Sequence, residues 1–138
     1  MQSPNPWRSY RQAATQTASP GQLVLMLLDG ANQFLHCALK GFDLDDPAEF
    51  NQTIHNNVLR AQEIIRELNS SLDMTQGGQV AEELRGLYAY FDRRLTESNL
   101  RKVPEGILEV ERHLGELREG WDMMLKQQRA LAPAACVA

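Results

Sequence analysis

The sequence predicts an all-α protein: an antiparallel four-helix bundle with an irregular or short-helical amino-terminal arm. Three observations predict it. Apolar residues recur at helical spacing along four stretches of about 20 residues or more, separated by short turns. Two of those stretches open on Ser-Pro and Asp-Pro, which set a capping side chain just ahead of a proline at the first helical position. No alternation of apolar and polar residues suggests a strand.

A chain of 138 residues suits one domain and can bury about two-thirds of its unfolded surface. The expected division is an arm over 1–18, a bundle over 19–130 and a frayed tail over 131–138. In the arm, Pro4 and Pro6 oppose helix and polar residues dominate, yet Trp7 and Tyr10 stand there. One of these aromatics is read as an anchor on the domain surface.

The first helix starts at Ser19-Pro20-Gly21-Gln22, with Gln22 placed to reach back to the cap. Leu23, Leu27, Ala31, Phe34 and Ala38 form its stripe, widened by Val24, Leu28, Leu35 and Leu39, and Gly41 marks its end. The second starts at the capping-box sequence Asp46-Pro47-Ala48-Glu49 and buries Phe50, Ile54, Ala61, Ile64, Ile65, Leu68 and Leu72, with Val58 at the margin. Turn residues from Asp73 to Gly78 close it. The third, from about Gln79 to Leu100, carries Val80, Leu84, Leu87, Phe91 and Leu95, with Tyr88 on the shoulder. Pro104 opens the fourth, whose seam is Ile107, Val110, Leu114, Leu117, Trp121, Met124 and Leu125.

Composition narrows function. With 14 basic and 18 acidic side chains the net charge is −4 and no long basic run occurs; Arg93-Arg94 and Arg101-Lys102, set among Asp92, Glu97 and Glu105, read as a solvated charged face, so no nucleic-acid partner is expected. The longest apolar run, Leu23 to Leu28, is far short of the ~20 residues that span a membrane. No secretory signal is read at the start, so the expected location is cytoplasmic, without membrane insertion. The two cysteines, Cys37 and Cys136, give no disulfide framework. His36, His55 and His113 stand on three different helices without metal-binding spacing, and Glu109 and His113 are four apart with no second copy. Ser70 and Ser71 lack a nucleophile elbow, and Gly77-Gly78 lacks the rest of a phosphate loop. The expectation is a protein that is not an enzyme and needs no cofactor or metal.

The informative residues are apolar ones off the stripes: Leu25, Met26, Leu59, Tyr90, Leu108 and Met123. On neighbouring helices such residues merge into a patch that binds protein, and the expectation is that at least three line one groove. Gly30, Gly86, Gly106, Gly115 and Gly120 fall inside predicted helices, where glycine is unfavourable. Each reads as close helix approach or a neutral surface position; together they suggest a bundle that tolerates adjustment.

Several motifs then carry a resemblance. Tyr10, Thr17-Ala18-Ser19-Pro20-Gly21-Gln22-Leu23 and Met26-Leu27-Leu28-Asp29-Gly30-Ala31 look like the opening of the flagellar secretion chaperone family FliS. Arg60-Ala61-Gln62-Glu63-Ile64-Ile65, Glu67-Leu68, Ser71-Leu72-Asp73, Gly77-Gly78, Leu87-Tyr88 with Tyr90, Arg94-Leu95, Glu109-Val110 and Leu117 to Trp121 continue it in order, over roughly residues 10 to 125. Leu28 stands where the family usually has tyrosine, and Ala89 where it has an acidic residue.

The resemblance implies a cytoplasmic export chaperone that binds the disordered carboxy-terminal region of flagellin. It would block premature polymerisation and deliver the subunit to the flagellar type III export gate, with a regulator or co-chaperone as a further partner. It also implies that Tyr10 covers part of the client groove. The expected partner-binding residues are Tyr10, Leu25, Met26, Leu59, Gln62, Ile65, Leu68 and Tyr90. For Ile65 and Leu68, core packing is an equal alternative. The competing reading is a self-associating bundle without a flagellin client; the oligomeric state expected is a monomer or a weak homodimer.

Overall fold

A computed structural model describes residues 19–131, within which lie four α-helices: α1 (Pro20–Gly41), α2 (Pro47–Ser70), α3 (Gly78–Arg101) and α4 (Glu105–Leu131). Capping chemistry sets the boundaries. Ser19 Oγ accepts from the Gln22 amide and Gln22 Oε1 accepts from the Ser19 amide, both at 3.2 Å, so two otherwise unpaired N–H groups of α1 are satisfied reciprocally. At α2 the forward half of the box is made: Asp46 Oδ2 accepts from the Glu49 amide at 3.0 Å. The first carbonyl of α4 to accept a helical bond is that of Pro104, from Leu108 N at 2.9 Å, and Pro104 has no N–H to leave unpaired. α3 ends on Lys102 in the left-handed region (φ 54, ψ 52), where the Val103 amide bonds back to Ser98 O at 3.1 Å.

Short connections turn each helix back on the last, and the order around the bundle is α1, α2, α3, α4. α1 packs between α2 and α4, and so does α3; α1 and α3 face across a diagonal with no close backbone approach, as do α2 and α4. The core runs down the middle: Leu27, Leu28, Ala31, Leu35 and Ala38 of α1; Ile54, Val58, Ala61, Ile64, Ile65 and Leu68 of α2; Tyr88, Phe91 and Leu95 of α3; Ile107, Val110 and Leu114 of α4. Burying each such large aliphatic side chain is worth about 1.5–3 kcal/mol against leaving it in water. Phe91 is central, stacked on His113 at 5.8 Å between ring centres and set edge-on to Tyr88 at 6.3 Å.

Leu35 and Val58, expected on the flank and at the margin, are fully buried. Val80 corrects the expected stripe of α3: it is 65% exposed, and Ala81 takes the buried position in that first turn. The tight turn into α3 brings Gly77 directly over Ala81, so the covered position is one residue later than the spacing suggested.

The glycines divide. A Cβ on Gly106 would run into Ser98 Oγ and lie 2.7 Å from the Arg94 carbonyl, so its absence lets α4 approach α3 closely. Gly86 and Gly120 face open space.

Candidate functional site

Partly buried apolar residues flank the core at both ends of the bundle: Phe34, Leu39, Phe42 and Phe50 at one, and a second group around a cleft at the other. There the start of α1, the end of α2, the start of α3 and the second half of α4 come together, and Leu23, Val24, Leu72, Leu84, Leu87, Leu117 and Trp121 are only partly buried. Between them lies a cleft of about 190 Å³. Three helices supply a pair of apolar walls each, Val24 and Leu28, Leu84 and Tyr88, and Leu117 and Trp121; the fourth pair is Leu68 of α2 with Leu72, two residues past its end. An apolar cavity of about 150 Å³ holds a benzene ring, so this volume fits one large apolar side chain.

One wall is pinned. The Trp121 indole N–H donates to the Gly21 carbonyl at 2.8 Å, and a Cβ on Gly21 would lie only 2.5 Å from Leu125 Cδ2, so α4 packs hard on the first turn of α1. One turn further in, Arg118 Nε donates to Asp29 Oδ1 at 3.0 Å. The polar lining comes from Ser71 and Asp73. Asp73 Oδ1 accepts from the Gln76 amide at 3.0 Å, the Thr75 hydroxyl at 2.7 Å and the Thr75 amide at 3.0 Å. The Gln76 bond, then that of the Thr75 hydroxyl, holds its carboxyl below the usual range. Burial pushes the Tyr88 phenol up, so it stays neutral in the cleft wall.

The off-stripe residues do not form a single patch. Leu25 shares a helix face with Asp29 and His36, whose partners, Arg118 and Glu111, are on α4. Leu25 therefore sits, half-buried, on the α1–α4 side. Leu59, 40% exposed, shares a face with His55, Gln62 and Arg66, whose partners are Asn99, Thr96 and Asp92 of α3. That seam is on the opposite side of the bundle. Met26, half-buried, falls on a third face, in line with Gln33 and Cys37. Leu108 and Met123 are exposed on α4. Leu25, Met26 and Leu59 thus fall on three different faces, because helix order separates faces that a single-helix wheel leaves undetermined.

Tyr90 has a specific task in the α3–α4 seam. Its hydroxyl donates to Glu109 Oε1, while Arg94 Nε donates to Glu109 Oε2 at 3.1 Å. The bond from Tyr90, then that from Arg94, holds the Glu109 carboxyl below its ordinary value; the same bond raises the Tyr90 phenol. Gln62 is 2% exposed, its Nε2 donating to the Asp92 carbonyl at 3.2 Å and to Thr96 Oγ1 at 2.9 Å. Ile65 and Leu68 are each 1% exposed; Ile65 belongs to the core and Leu68 to both core and cleft. Tyr10 lies outside the described residues. In the sequence Trp121, Leu117, Leu72 and Val24 are ordinary members of helical apolar faces. Their role as cleft walls depends on where four helix ends fall relative to one another.

Among the described residues, no group of three His, Cys, Asp or Glu side chains is placed to hold a metal, and no helix is long and apolar enough to cross a membrane. The geometry offers apolar surface and a cleft.

A family profile described as "Flagellar protein FliS" matches residues 3–128. This chain belongs to the FliS family. Its similarity to individual FliS proteins runs nearly end to end. It is 31% identical over 125 residues to the flagellar secretion chaperone FliS of Bacillus subtilis, covering 91% of this chain and 90% of that one. It is 36% identical over 110 residues to FliS of Salmonella typhimurium, covering 80% and 79%. It is 31% identical over 124 residues to FliS of Campylobacter jejuni, covering 88% and 91%. Membership in FliS supports a chaperone role in flagellar export rather than an enzymatic one.

Proposed function

We propose that this FliS-family chain is a cytoplasmic chaperone that binds the disordered carboxy-terminal region of flagellin, keeps the subunit from polymerising early and passes it to the flagellar type III export gate. The observation that carries the reading is the end of the bundle where α1, α3, α4 and the segment after α2 contribute half-covered apolar side chains around the cleft. A disordered client loses conformational entropy on ordering, and only substantial apolar burial offsets that cost. A bundle that leaves Val24, Leu72, Leu84, Leu117 and Trp121 partly wet has such surface to offer. A client segment with apolar anchors at helical spacing would seat one anchor in the cleft.

Leu25, Met26 and Leu59 lie on three different faces, so a client that touches all of them wraps around the bundle. Gln62 and Ile65 are reached only where helices part; Leu68 is reached through the cleft. Tyr10 is proposed to occupy client surface in the free chain and to be displaced on binding. Tighter binding by Tyr10→Ala is the expected result, and unchanged or weaker binding contradicts that role.

The test mixes the purified chain with flagellin monomers of the same organism, follows the complex by sedimentation velocity and measures filament growth from added seeds. A discrete complex and suppressed growth are expected. A chain that sediments as a stable homodimer and leaves growth unchanged would establish the self-associating bundle instead.

A further inference from the structure

The two halves of α3 are held differently. From Asp92 to Asn99 the helix is tied to α2 through Gln62, Arg66 and His55. On its other side Tyr90 and Arg94 bond to Glu109, and Phe91 stacks on His113 of α4. Over 78–87, among the described residues, the one side-chain hydrogen bond is Gln79 Nε2 to Glu83 Oε1 at 3.2 Å, within the helix itself.

The start of this half is weak in three further ways. Its N-cap is Gly77, with no side-chain bond to the first amides. Gly78 sits at φ +54, a conformation open to glycine, whose ordering costs more backbone entropy than that of other residues. Gly86, facing open space, lowers helix propensity in the middle of the segment. The segment also backs onto the cleft through Leu84, and a side chain lining a void lacks packing partners on that side.

We propose that residues 78–87 of α3 open as one local unit, rooted at the Tyr90–Arg94–Glu109 and Gln62 bonds, and so widen the cleft from one side. The facing wall, pinned by Trp121 to Gly21 and Arg118 to Asp29, stays in place. The opening stands on the fold alone; that it admits an apolar side chain of the client rests on the function proposed above.

Hydrogen exchange on the intact free chain, resolved by peptide mass spectrometry, tests it. Amides of 82–87, which have helical partners, should exchange about tenfold faster than those of 92–99. Gly86→Ala should slow exchange about fivefold over 82–87, the expected gain from glycine to alanine in a helix, and leave 92–99 unchanged. Equal protection of the two halves, or equal slowing of both by Gly86→Ala, overturns the proposal. A synthetic peptide of flagellin's carboxy-terminal region should protect 82–87. If the free chain opens as stated and this peptide binds without protecting 82–87, the opening survives and its use as the client's entrance falls.

Discussion

The indole N–H of Trp121 reaches 100 residues back along the chain to the carbonyl oxygen of Gly21, 2.8 Å away. This bond ties the last turns of α4 to the first turn of α1, and the same indole forms part of the cleft wall. Trp121→Phe keeps an aromatic wall and removes the donor. It should destabilise the protein by about 1–2 kcal/mol, measured as a lower urea midpoint at unchanged slope. An unchanged midpoint would mean that the bond does not hold the two helices.

Glycine substitutions should separate close approach from free surface. Gly106→Ala drives a methyl group toward Ser98 Oγ and the Arg94 carbonyl and should cost about 1–3 kcal/mol. Gly120→Ala meets nothing and should stabilise by up to about 1 kcal/mol. Thermal unfolding of the two variants should therefore move in opposite directions.

Glu109 gives an acid dependence of known sign. The bonds from Tyr90 and Arg94 lower its folded-state pKa below the unfolded value, so the folded protein binds this proton less readily than the unfolded chain. Its contribution is fully present above the ordinary glutamate value, about 4.3, and is lost as pH falls through the lower folded value. Glu109→Gln should therefore be less stable than the parent at neutral pH, with the gap narrowing in acid. Urea titrations at several pH values measure this; a gap that is constant with pH contradicts it.

Gln62 should act on stability. Its buried amide makes two hydrogen bonds to α3, and Gln62→Ala removes both and leaves a void. A loss of about 2 kcal/mol or more is expected in chemical denaturation.

The fold was legible in this sequence because its signals are local. Ser19-Pro20 and Asp46-Pro47 carry their capping partners within three residues, and apolar spacing fixes one face per helix. What was not legible depends on registers between helices. Gln62 meets the Asp92 carbonyl 30 residues away, and Tyr90 meets Glu109 across a turn; neither pairing follows from a stripe on a single helix. The separation of Leu25 from Leu59 follows from helix order around the bundle, which apolar periodicity does not encode. The cleft was missed for the same reason: its walls are ordinary seam residues that stop short of closing on one another.

The most direct measurement is calorimetric titration of the chain, at several temperatures, with a peptide of roughly the last 40 residues of its organism's flagellin. Binding is expected with a clearly negative heat-capacity change, from apolar burial, reduced when a charge is placed in the cleft by Leu117→Glu in a variant that remains folded by circular dichroism. Binding with a heat-capacity change near zero, or binding indifferent to Leu117→Glu, would contradict the claim that the half-covered end of the bundle receives the client.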